Sequence, residues 1–325
     1  MSTSNGNGTS ATPPLLEVRN LQTHFEIDGV TVRAVDGVSF ILNEGDTLGI
    51  VGESGSGKSV TAASIMGVLP RRSKIVGGEI LYRGNDLVKM PPDEWRKMRG
   101  KKFAMVVQDP RASLDPVFSV GNQLKEVVQG DNADARIVEV LRQLSINRPE
   151  QVVKSYPHQL SGGMNQRVVI AMAVLPEPDL LIADEPTTAL DVTVQAQILA
   201  LLKQVQQARG MTLILISHDL AVIASVSSHI LIMYGGRAME FGPVKEIFTE
   251  PHHPYTEALL ASIPRLDGPK TELAMIPGTP VDARIQYKGC PFAARCGYAE
   301  DRCREEFPGQ TAYGANHWAA CWNTE

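Results

Sequence analysis

The sequence has 325 residues, 43% of them hydrophobic, and a formal net charge of −5, enough for two domains, or for one large domain with an appendage, around a sizeable core. The acidic balance argues against nucleic acid as a main partner, since that role ordinarily demands a basic face. No apolar run approaches the ~18 residues of a membrane span, and the N-terminus lacks the basic-then-apolar order of a secretion signal, so a soluble, intracellular protein is expected.

Residues 1–14 are rich in Ser, Thr, Asn and Gly and end in Pro13-Pro14, the composition of a disordered leader. From residue 15 to about 250 the pattern is globular. Short β-rich runs at 48–51, 103–107, 180–183, 213–217 and 230–233 alternate with helical patterns, which predicts an α/β domain with a largely parallel central sheet. Between Asp109 and Pro178 the strand signals vanish. Helical stretches at 135–144 and 166–174 take their place, so a helical insertion is expected over about 109–178. From Pro251 prolines recur as far as Pro308, and all four cysteines fall between 290 and 321. Residues 251–325 therefore read as a small separate appendage.

Gly52-Glu53-Ser54-Gly55-Ser56-Gly57-Lys58-Ser59 matches the phosphate-loop pattern G-x-x-x-x-G-K-[ST] at every fixed position. It follows a run that reads as a buried strand (47–51) and precedes one that reads as a helix (60–66), the context the motif needs. Gly52, Gly55 and Gly57 let the backbone fold into a nest, in which N–H groups around Ser54 and Ser56 face phosphate oxygens at a helix N-terminus. Lys58 supplies a point charge to the β- and γ-phosphates, and the Ser59 hydroxyl is a hard ligand for Mg²⁺.

The apolar run Leu180-Leu181-Ile182-Ala183 ends in Asp184-Glu185. A buried strand delivers such carboxylates to the edge of an open α/β sheet where ligands bind. Asp184 is expected in the Mg²⁺ shell, and Glu185 as the base that orients and deprotonates the attacking water. Gln108 and His218 each follow a predicted strand, which brings them to the same edge. Gln108 is assigned to Mg²⁺ and the attacking water, His218 to the γ-phosphate. Leu160-Ser161-Gly162-Gly163 precedes a helix expected to begin near Met164, and amides with a serine hydroxyl at a helix N-terminus form an anion site.

Taken together, the phosphate loop, Gln108, residues 160–166, residues 181–185, Ala189-Leu190-Asp191 and His218 resemble the nucleotide-binding subunit of an ABC transporter over roughly residues 15–250. The resemblance implies an ABC-type fold with an antiparallel β part near the N-terminus, use of ATP and Mg²⁺, and a head-to-tail dimer. Each ATP would lie between the phosphate loop of one subunit and Ser161, Gly162 and Gly163 of the other. It also implies nucleotide contacts from Asp191 and an aromatic stacked on adenine, a place taken by Phe25, with His24 as the alternative. Asn165 stands where many relatives carry a basic residue or Gln, a departure that leaves Ser161 and Gly163 intact.

Asp184 through Gln195 and His253-Pro254-Tyr255-Thr256, with the C-terminal segment, are similar to ATP-binding subunits of oligopeptide/dipeptide importers. That similarity implies a second ATPase subunit, usually a paralogue, two transmembrane permease subunits and an extracytoplasmic substrate-binding protein. The ATPase would sit peripherally on the cytoplasmic face of the membrane. Peptides are the family's commonest cargo, with nickel chelates, glutathione or other small solutes as alternatives. Two other readings compete. A soluble ABC ATPase of translation or DNA repair usually carries two cassettes or a long coiled coil, and neither is present. A small-molecule P-loop kinase has no use for Ser161–Gly163 or for Gln108 and His218 at their strand ends.

Cys290, Cys296, Cys303 and Cys321 are separated by five, six and seventeen residues. An intracellular protein keeps thiols reduced, so their clustering points to a metal site. Zinc ribbons prefer shorter gaps. Thiolate-only ligation, with Pro291 after Cys290, is compatible with an iron–sulfur cluster, and some importer subunits that this chain resembles carry a [4Fe–4S] centre at such cysteines. The expectation is a [4Fe–4S] cluster, with Zn²⁺ or free thiols as the alternatives.

Overall fold

Alternating apolar residues along the strands partition the interior into two layers. In a computed structural model, which describes residues 13–128, 130–188, 190–263, 276–282 and 284–323, two sheets carry the fold. Residues 1–12 of the expected leader and Ala189 of the Ala189-Leu190-Asp191 motif lie outside the described residues.

The chain opens with β1 (Leu16–Ile27) and β2 (Val30–Leu42), then β3 (Thr47–Val51), helix α1 (Lys58–Met66), β4 (Ser73–Tyr82), β5 (Asn85–Asp86), α2 (Pro92–Met98) and β6 (Phe103–Val106). Between Asp109 and Pro178 every described element is helical: α3 (Pro110–Ser113), α4 (Val120–Val127), α5 (Ala133–Gln143), α6 (Pro149–Val152), a 3₁₀ turn (Pro157–Gln159) and α7 (Gly162–Val174). There follow β7 (Leu180–Asp184), α8 (Val192–Arg209), β8 (Thr212–Ser217), α9 (Leu220–Val226), β9 (His229–Tyr234), β10 (Arg237–Pro243), α10 (Val244–Thr249), α11 (Pro254–Ala261), α12 (Arg302–Glu305), β11 (Thr311–Ala312) and β12 (Trp318–Ala319).

The first sheet has the order β2-β1-β4-β5 and is antiparallel throughout. The second runs β11-β12-β10-β9-β3-β8-β7-β6, with β9, β3, β8, β7 and β6 mutually parallel. Every residue of β3, β7 and β8 is buried, as expected for parallel strands covered on both faces. The side-chain period of two then sorts them. Leu181, Ala183, Leu213 and Leu215 join the core shared with the helical region. Leu180, Ile182, Ile214 and Ile216 join the core under the antiparallel sheet. Each of these leucines and isoleucines contributes about 1.5–3 kcal/mol by leaving water.

The C-terminal segment is not the separate appendage that its prolines predicted. β12 pairs antiparallel with β10, Glu240 opposite Ala319 and Phe241 opposite Trp318. Tyr255 and Phe292 lie in the same core as the parallel strands. A segment too proline-broken to build its own core is instead stabilised by adding to an existing one.

Candidate active site

The five parallel strands end at one edge, and four of them deliver a singled-out side chain there. The phosphate loop follows β3, His218 follows β8, Asp184 ends β7 with Glu185 next, and Gln108 lies two residues past β6. The order β3-β8-β7-β6 sets these ends side by side, where ligands bind in open α/β sheets.

The loop conformation demands glycine. Gly57 has a φ of 100°, and a Cβ there would lie 2.3 Å from the Ala34 carbonyl oxygen; at Gly52 it would lie 2.1 Å from that of Met233. Lys58 is buried, and its ammonium donates to the carbonyls of Gly52 at 2.8 Å and Glu53 at 2.9 Å. Burial lowers the Lys58 pKa, opposed by Glu185, Asp184 and Glu53. Ser59 Oγ donates to Asp184 Oδ1 at 3.1 Å. Burial raises the Asp184 pKa, and the Ser59 hydrogen bond works against the rise.

Glu185 gathers the other polar groups. Gln108 Nε2 donates to its Oε2 at 3.1 Å, and Thr188 Oγ1 to the same oxygen at 2.9 Å. His218 Nδ1 lies 3.5 Å from Oε1. Glu185 is a non-glycine residue in the left-handed region (φ 46°), and its backbone N–H donates to the Ile216 carbonyl at 3.0 Å. Backbone strain of this kind concentrates at functional sites. Sequence reasoning missed Thr188, whose only signal is its place three residues after Glu185.

The remaining expected residues lie elsewhere. Ser161 caps α7, which begins at Gly162, two residues before the expected start; its Oγ accepts from Met164 N–H at 3.3 Å. Ser161 and Gly163 border a cleft of about 230 Å³ together with Ser145, Asn147, Arg167 and Val194, and no phosphate-loop residue lines it. Asp191 caps α8, its Oδ1 accepting from Val194 N–H at 2.9 Å. Phe25 is half-buried on β1, paired with Val32 and Ser73. Beside it, His24 has a buried Nε2 without a partner, and burial lowers its pKa.

The iron–sulfur expectation is corrected. Cys290, Cys296, Cys303 and Cys321 do line one cavity, but its volume is about 20 Å³, room for about one water and not for a four-iron cube. Among the described residues, no three or more His, Cys, Asp or Glu side chains are placed to hold a metal ion. Burial pushes the Cys290 thiol up to about 12 and raises Cys296 and Cys321. All four are free thiols. Their clustering in sequence reports shared packing rather than ligation.

Residues 35–188 match the ABC transporter family, and residues 239–303 match the C-terminal region of oligopeptide/dipeptide transporters. The chain is 48% identical over 315 residues to the dipeptide transport ATP-binding protein DppD of Bacillus subtilis, covering 95% of this chain and 94% of that one. It is 44% identical to the oligopeptide transport ATP-binding protein OppD of Haemophilus influenzae, covering 95% and 97%. Its fold is similar to that of the ATP-binding cassette MJ0796, solved as a dimer in a post-hydrolysis state with ADP and Pi. The TM-score is 0.63 at 26% identity, with 70% of this chain and 98% of that one covered. An ATPase edge on a parallel sheet, joined to this C-terminal region, places the chain in the oligopeptide/dipeptide transporter family of ABC ATP-binding proteins, to which it belongs.

Proposed function

We propose that this chain hydrolyses ATP to power peptide uptake, as one ATPase subunit of a membrane importer. The observation that carries the reading is the convergence of Lys58, Ser59, Asp184, Gln108, His218 and Glu185 at one sheet edge, with Ser161 and Gly163 on a different cleft. One chain thus holds two half-sites, and a head-to-tail dimer joins the phosphate loop of one subunit to Ser161–Gly163 of its partner. In this reading residues 15–250 are the ATPase domain, with its helical part at about 109–178, and residues 251–325 are the importer-type extension.

The roles follow from chemistry. The nest at Gly52–Ser59 and the Lys58 ammonium bind the phosphates, while Phe25 stacks on adenine. Asp191 fixes the start of α8 beside Gly163. Glu185, held by Gln108 and Thr188, takes a proton from the attacking water, and His218 contacts the γ-phosphate. The paired oxygens of Ser59 and Asp184, with Gln108 as a further oxygen donor, would hold Mg²⁺, which would supply charge neutralisation for the β- and γ-phosphates.

Among the described residues no helix is long and apolar enough to cross a membrane, so permease subunits would provide the path and the chain would attach peripherally on the cytoplasmic side. A groove of about 440 Å³ between the segment after Gln108 and the one before Ser161 supports such docking. It is lined by Leu114, Pro116, Pro157, His158, Leu160 and Asn165, with Val117 71% and Phe118 49% exposed nearby. A permease loop seated there would feel both half-sites. A second ATPase, two permeases and an extracytoplasmic binding protein complete the assembly.

The test is Glu185→Gln in the purified protein with ATP. Hydrolysis should stop while ATP stays bound and a dimer accumulates on size-exclusion chromatography. Normal turnover by this variant, or full-speed turnover by a strictly monomeric wild type, would sink the reading.

A further inference from the structure

The C-terminal segment reaches the phosphate loop directly. Glu53, the first variable residue of the loop, donates its backbone N–H to Tyr255 Oη at 3.0 Å, and its Oε2 accepts from Arg295 Nη1 at 2.7 Å. Its carbonyl accepts from Lys58 Nζ. All three polar groups of Glu53 are therefore committed, two of them to residues 202 and 242 positions away in sequence.

Neither distant partner is loosely placed. The Arg295 side chain is only 5% exposed. Its Nη1 also donates to Tyr234 Oη at 2.9 Å, Nε to the Pro277 carbonyl at 2.8 Å and Nη2 to that of Ile276 at 3.2 Å. The buried Tyr255 ring packs 4.6 Å from that of Tyr234 and 5.1 Å from that of Phe292. A buried ion pair contributes little net stability, because desolvation offsets the attraction, but it does fix geometry. Here the fixed residue supplies one of the two carbonyls that hold the phosphate-binding lysine.

We propose that Tyr255 and Arg295 are positioning residues for the phosphate loop. Through Glu53 they set the backbone path of residues 52–58 and the reach of Lys58, so ATP affinity depends on the docked C-terminal segment. The proposal rests on the reading that residues 52–59 hold the ATP phosphates.

Steady-state ATP hydrolysis and thermal melting of the full chain test it. Tyr255→Phe keeps the ring and removes the acceptor; Arg295→Gln removes the charge. Each should raise KM for ATP about tenfold, the effect of one lost hydrogen bond at the loop, with a smaller fall in kcat. Arg295→Lys should recover part of the affinity. Glu53→Gln/Arg295→Gln should bind ATP no more weakly than either single variant, since both act through one contact. Unchanged KM in Tyr255→Phe and Arg295→Gln, or a lowered melting temperature and kcat at constant KM, overturns the proposal. Lys58→Ala separates the two levels: lost ATP binding upholds the phosphate-loop reading whatever the other variants do, and wild-type affinity in it removes that reading and this proposal together.

Discussion

The Thr188 hydroxyl donates to Glu185 Oε2, the same oxygen that accepts from Gln108, and leaves Oε1 facing His218. One carboxylate oxygen is thus anchored and the other faces His218, the residue proposed to contact the γ-phosphate. General-base catalysis contributes typically 10²–10⁴-fold. Glu185→Gln should therefore lower kcat by at least about a hundredfold. Thr188→Val, which loses one anchor but keeps the base, should lower it by roughly tenfold with KM for ATP little changed. Phosphate-release kinetics on both variants check the order; an equal loss in the two would mean that Thr188 does more than orient.

Gly57 makes a different prediction, about backbone alone. Its φ of 100° and the 2.3 Å approach of a would-be Cβ to the Ala34 carbonyl leave no room for a side chain. Gly57→Ala should destabilise the protein by about 1–3 kcal/mol, seen as a fall of several degrees in melting temperature, and should abolish ATP binding. A variant that melts like the wild type and binds ATP would show that the loop relaxes freely.

The exposed apolar pair beside the 440 Å³ groove separates transport from hydrolysis. Val117 and Phe118 contact no residue of the phosphate loop through any hydrogen bond, and exposed apolar groups around a groove mark interaction surfaces. Val117→Asp/Phe118→Asp should leave ATP hydrolysis by the isolated subunit within about twofold, since surface changes away from a site usually act weakly. Uptake by the reconstituted importer should fall at least about tenfold, as a charge in an apolar contact demands. Intact uptake would move the docking site elsewhere.

How much of this was legible beforehand follows from range. The parallel strands were found within a residue or two because apolar runs such as Leu180–Asp184 and Thr212–Ser217 are local signals, and their shared edge follows once they are parallel. Strand β6 stops at Val106 and not at Val107, which is exposed. Contacts that span the chain left no local trace. Glu53 and Arg295 lie 242 positions apart, and β12 has only two residues, so the sequence alone reads the docked C-terminal segment as separate. The cysteines failed for another reason: their spacing reports that the four thiols lie near one another, but not that the cavity they line is only about 20 Å³.

Two histidines in the docked segment predict opposite responses to pH. His317 Nε2 lies 2.9 Å from the buried Glu240 Oε1 and Nδ1 3.1 Å from Glu246 Oε2, with the rings of His252 and Tyr313 also against it. Burial lowers its pKa, but hydrogen bonds and charge from Glu240 and Glu246 outweigh this and leave it raised. The folded state then holds a proton that the unfolded state releases, so this stabilisation is complete below about pH 6.5 and fades as pH rises through the folded value. His253 is fully buried and pushed down to about 4; the unfolded chain takes up its proton first, and stability falls as pH drops from about 6.5 to 4. The wild-type profile mixes the two, so the difference curve is the informative measurement. His317→Gln should cost most stability near pH 6 and progressively less toward pH 9 in denaturant titrations, because only the charged imidazole gains from Glu240 and Glu246. A cost that stays constant across that range would mean His317 acts as a neutral hydrogen-bonding group.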